Sequence, residues 1–134
     1  MERKNINRGF KQLRVWNHAI ELYVLSSRIL VNLPFELKKS AGNSIDACLS
    51  ISRNIAEGYG RKNIKEYLLF LNYSLGSSAE FHSSIHAFKE AGQISDDSFE
   101  TLDSLHYLTE NELIQLIKSL QNKLKKGDWE NSFS

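Results

Sequence analysis

The sequence predicts an all-α fold, an antiparallel up-down-up-down four-helix bundle, on three observations. Apolar residues recur in alternating steps of three and four along four stretches of the chain, the spacing that lays one apolar seam along a helix. The stretches are separated by short segments carrying Pro34, Gly58 with Gly60, and Gly92. Strand signals are absent, and short connections between long helices force neighbours to run antiparallel.

A chain of 134 residues with 41% hydrophobic content can bury one core, so a single domain is expected. Residues 1–10 are polar, basic and without period, and read as a flexible arm; residues 11–126 form the bundle; residues 127–134 read as a frayed tail in which Trp129 and Phe133 are the candidates for docking. The first helix runs from about Leu13 to Asn32 with Leu13, Trp16, Ile20, Tyr23, Ser27 and Leu30 on its seam. Pro34 stops it, because the residue before a proline is pushed out of helical geometry. The second starts between Glu36 and Ser44 and ends near Glu57, with Ile45, Leu49, Ser52 and Ile55 or Ala56 as its seam. Gly58 or Gly60 suits the position past its end, where positive φ carries no Cβ strain.

The third helix spans about Asn63 to Ala91 on a seam of Ile64, Leu68, Leu71, Leu75, Ser78 and Ile85. Beside that seam lies a second stripe, Tyr67, Phe70, Ser74, Phe81 and Phe88. It is either a subunit interface, formed by Tyr67, Phe70, Phe81 and Phe88, or one half of a wide core-facing band. Gly76-Ser77-Ser78-Ala79 in the middle of this helix permits close approach of a neighbouring helix, within or between subunits, at a cost of about 1 kcal/mol for the glycine. Ser95 followed by Asp96 and Asp97 reads as the cap and first turn of a fourth helix. That helix carries Phe99, Leu102, Leu105, Leu113, Leu116, Leu120 and Leu124 to about Lys126.

No apolar run approaches the roughly 20 residues of a membrane span and the N-terminus lacks the apolar segment of a secretion signal, so a cytoplasmic protein without membrane contact is expected. The single cysteine, Cys48, lies on the apolar side of its helix as a small hydrophobe. Net charge is only +1, yet residues 1–65 hold 12 Lys or Arg against 5 Asp or Glu, whereas residues 66–134 hold 5 against 11. In the alternating bundle, Lys11, Arg14, Arg53, Arg61, Lys62 and Lys65 gather at one end with the lysines of the fourth helix. The helix dipole accounts for Asp96, Asp97 and the lysines near residue 125, but cations at the starts of the first and third helices oppose the local field. A phosphate backbone is one partner that would favour them; the acidic flank of another subunit is the other.

Catalytic signals are weak. His82 and His86 stand four apart, a metal-sharing spacing, but no Glu-x-x-His pair occurs and His18, His82, His86 and His106 make no recognisable ligand set. Glu57 and Glu80 are more simply a helix-terminal acid and a hydrogen-bonding partner than an acid-base pair. Without a phosphate loop, nucleophile elbow or Cys-His pairing, no enzyme, cofactor or metal is expected.

Three spaced motifs, Phe10-x-x-Leu13-x-Val15-Trp16-x-x-Ala19, Ser50-Ile51-x-x-Asn54-Ile55-Ala56-Glu57-Gly58-Tyr59-Gly60-Arg61, and Phe70-Leu71 with Gly76-Ser77-Ser78-Ala79-Glu80, resemble the bacterial four-helix bundle protein family. That family includes proteins encoded in intervening sequences of the large-subunit ribosomal RNA and is similar to the accessory variability protein of diversity-generating retroelements. The resemblance implies an antiparallel bundle assembled into a ring-like pentamer, with nucleic-acid binding in some branches; the basic end of this chain is accordingly expected to meet RNA or DNA, or a nucleic-acid-handling protein. The chain departs from its relatives at Ile45-Asp46, where they commonly carry an Arg-Arg pair.

Overall fold

The computed structural model describes residues 3–127. Among them are four α-helices, α1 (Arg14–Leu30), α2 (Lys38–Tyr59), α3 (Ile64–Glu90) and α4 (Asp96–Lys126), with short 3-10 turns at Ile6–Gln12 and Phe35–Leu37. The described chain is all-helical. Each long helix packs on two others, α1 on α2 and α4, and α3 on α2 and α4. No helix is long and apolar enough to cross a membrane among the described residues.

Local chemistry sets the helix ends. Asn63 caps α3, its side-chain oxygen accepting from the backbone N–H of Lys65 at 2.7 Å and of Glu66 at 3.3 Å. Ser95 caps α4 by accepting from the N–H of Ser98 at 3.0 Å, and acids fill that first turn, where the helix dipole favours them. Gly92 and Gly127 take the left-handed φ values of 70° and 69° that close α3 and α4. Gly58 and Gly60 do not use that freedom: α2 continues through Gly58 to Tyr59, and Gly60 keeps φ at −75°. Gly58 is required for closeness instead. A Cβ there would stand 2.9 Å from Tyr67 Cδ1 and 3.0 Å from Phe70 Cβ.

That approach brings α2 and α3 together along their length. Ser74 Oγ donates to the Ile51 carbonyl at 2.8 Å and Ser77 Oγ to Ser50 Oγ at 2.8 Å. Ile51, Ile55, Leu71, Phe81, Ile85, Leu102 and Leu113 are inaccessible to solvent and form the centre of the core. On α1 the buried set is Val15, Ala19, Leu22, Ser26 and Leu30, one position off the expected seam except at Leu30, with Trp16 and Tyr23 packed against its edge. A helix turned by one residue presents a neighbouring stripe about 100° away, and the seam and its neighbours are similarly apolar here.

Two further expectations need correction. The aromatic stripe of α3 belongs to the core: Tyr67, Phe81 and Phe88 are buried within the chain and cannot present a subunit interface, while Phe70 is half-buried under Arg61. With the first seam they make one wide core-facing band. Residues 6–10 are no free arm either. They lie in the first 3-10 turn, where Gly9 sits against the Tyr59 ring with no room for a Cβ, and Phe10 packs edge-on to Trp16 with ring centroids 5.1 Å apart. Trp129 and Phe133 of the tail lie outside the described residues.

Gly58→Ala is expected to lower stability by about 1–2 kcal/mol, since overpacking against Tyr67 and Phe70 outweighs the gain in helix propensity. Gly76, around which nothing lies within 4 Å, behaves oppositely: Gly76→Ala is expected to raise the stability of the folded chain by about 0.5–1 kcal/mol. Urea denaturation followed by circular dichroism separates the two. Burial pushes the Cys48 thiol up to about 12, the Ser26 hydroxyl pulling slightly back. Because the fold favours the neutral thiol, this contribution is complete below the ordinary value of 9.0 and is lost as pH rises toward about 12. At pH near 8, Cys48 should resist a disulfide reagent in the native protein and react on denaturation.

Candidate nucleic-acid interface

The α2–α3 corner is built around Arg61. Its guanidinium bonds Glu57 across one helical turn at 3.1 Å, reaches Glu66 at 3.8 Å and covers the Phe70 ring at 4.6 Å from the centroid. Its Nε is shielded from solvent without a hydrogen-bond partner. A side chain engaged on three sides is a structural clamp as much as a free cation, because two carboxylates compete for any phosphate. Arg53, Arg61, Glu57 and Gly60 line one surface depression together with Asn7 of the first 3-10 turn. Arg3, Lys4, Arg8 and Lys11 line a second, in which Arg8 follows Asn7 of the first in the chain.

The remaining expected cations divide. Lys62 and Lys65 are exposed, flanking the cap Asn63 at the start of α3. Arg14 opens α1 and faces α4, on a depression shared with Leu13, Val15, Asn111, Glu112 and Gln115. Arg53, Lys62, Lys65 and Lys11 thus share the α2–α3 corner and the turn packed beside it, whereas Arg14 looks toward an acid. Near it, His18 Nδ1 and Glu112 Oε1 lie 2.6 Å apart and tie α1 to α4.

On the α3–α4 face the structure assembles a group that sequence spacing concealed. His82 Nε2 lies 2.7 Å from Asp103 Oδ1. The His82 and His106 rings stack 4.3 Å apart with planes 4° from parallel. His106 Nε2 lies 2.8 Å from Ser78 Oγ and 3.1 Å from the Ser78 carbonyl. Burial lowers the proton affinity of His106, and the neighbouring His82 charge lowers it further. Donor atoms of His82, Asp103 and His106 all fall within 4.8 Å of one another. The signal was present on α4 as Asp103-x-x-His106, an (i, i+3) pair that shares one helix face; only the packing of α4 on α3 adds His82.

The helical fold and these sites place the chain in a class of small all-helical proteins. It belongs to the family of 23S rRNA-intervening sequence proteins, whose model matches residues 11–119, in agreement with the motif resemblance. The comparison with curated proteins gives no match.

Arg61→Ala should cost about 1 kcal/mol, mostly from the lost cation–π contact, since the ion pairs are more than a third exposed. Chemical denaturation with helicity checked by circular dichroism reads this directly.

Proposed function

We propose that the chain is a non-enzymatic, self-assembling, antiparallel up-down-up-down four-helix bundle that binds nucleic acid through the α2–α3 corner and the adjacent N-terminal turn. The observation that carries this reading is that Arg53 and Arg61 line one depression with Asn7, while Arg8 and Lys11 of the same 3-10 turn line a second. Lys62 and Lys65 extend the patch at a helix start, where cations are disfavoured by the dipole. Counterion release from a phosphate backbone offsets that local cost. RNA is the favoured partner, because the family takes its name from an intervening sequence of ribosomal RNA.

Self-association draws on a different surface from the one expected. Leu69 and Tyr73 are 46% and 52% exposed, one turn apart on α3, and Gly76 continues their row with open space above it. Apolar side chains beside a glycine suit close packing of a second copy. A pentamer, as the motif resemblance implies, would repeat the basic corner around an axis and multiply a modest monomer charge. A purely structural interaction module is the second reading, favoured by the carboxylates that already occupy Arg61.

Arg53→Glu combined with Lys65→Glu, both at exposed positions, should weaken retention of mixed RNA in a low-salt gel shift by about tenfold or more. The slope of log K against log salt should fall by about 2, with helicity unchanged. Equal retention by the variant removes the nucleic-acid reading, and light scattering of the free protein then tests assembly alone.

A further inference from the structure

We propose that His82, Asp103 and His106 form a binding site for one divalent transition-metal ion of zinc's class, held between α3 and α4. The donors come from two helices and already lie within 4.8 Å of one another. On α4, Asp103 and His106 are three residues apart and point the same way, toward α3. The site has a closed floor and an open mouth: His106 is 2% exposed, while the side chains of His82 and Asp103 are 33% and 35% exposed. An ion can enter from solvent and still meet one buried ligand. Ser78 restricts the His106 ring from behind through Nε2.

The donor set decides the class of ion. Two imidazoles and one carboxylate suit zinc, nickel, copper or iron, whereas calcium and magnesium require oxygen donors. Three protein ligands leave a further position open to water or a small ligand. Parallel rings aim their in-plane lone pairs in parallel directions, so binding requires His82 to turn out of the stack. A tetrahedral ion with bonds of about 2.0–2.1 Å holds its donors about 3.4 Å apart, a contraction that a partly exposed side chain can supply.

The test uses the full chain freed of metal by a chelator and then titrated with zinc chloride in a calorimeter. One zinc per chain is expected, at micromolar affinity or tighter, with a raised thermal midpoint. His82→Ala and Asp103→Asn, which alter partly exposed side chains and leave His106 in place, should each weaken binding about 100-fold or more. Cobalt as a substitute should give visible absorption bands that the His82→Ala protein lacks. Absence of zinc binding by the folded wild type, or unchanged affinity in the His82→Ala/Asp103→Asn double variant, would overturn the site. So would loss of binding in His18→Ala, which would move the ion to the α1–α4 surface.

Discussion

Helices α2 and α3 can run in close contact only because position 58 carries no side chain. The backbone of Gly58 faces Tyr67 and Phe70 at distances that a methyl group would violate, and the serines further along continue the same economy of bulk. Ser74 donates to the Ile51 carbonyl, Ser77 to Ser50, and Ser52 to its own helix at the Leu49 carbonyl. Small hydroxyls in an apolar seam are tolerated when every one finds an acceptor, since an unpaired buried hydroxyl costs about 1–3 kcal/mol. The rest of the core is arranged around this closest pair, with α1 and α4 each covering one of its edges.

The same corner sets the electrostatics. Because α2 ends one turn before α3 begins, Arg53, Arg61, Lys62 and Lys65 are confined to a small volume, and the first 3-10 turn adds Arg8 and Lys11 by docking Gly9 on Tyr59. Glu57 and Glu66 temper that charge at Arg61. The outcome is a patch whose inner cation maintains the corner and whose outer cations face solvent. Further along α3, His82 meets Asp103 of α4, and His106 of α4 reaches back to Ser78. One helix therefore carries an electrostatic surface near its start and a ligand-like cluster near its middle.

Much of the fold was legible in the residues because helix signals are local. The cap Ser95 and the stop before Gly92 are decided within one turn of chain, and α3 and α4 begin and end within a residue of expectation. The seam of α1 was less legible, since Trp16 and Tyr23 are as apolar as the residues that are buried beside them. Tyr67, Phe81 and Phe88 misled for a related reason: a two-stripe helix looks the same whether its second stripe meets another subunit or another helix of its own chain. The candidate basic patch was half legible, as a charge imbalance along the chain, but not the ion pairs that engage Arg61.

Periodicity, caps and breakers determined by themselves that this chain forms four helices, because each depends on hydrogen bonds and steric limits spanning a few residues. Tertiary structure alone decided which stripe of each helix is buried, why Gly58 must be glycine, and which titratable groups meet. Those depend on distances between residues tens of positions apart, such as His82 and Asp103 or His18 and Glu112, and no local preference encodes the rotation of one helix against another.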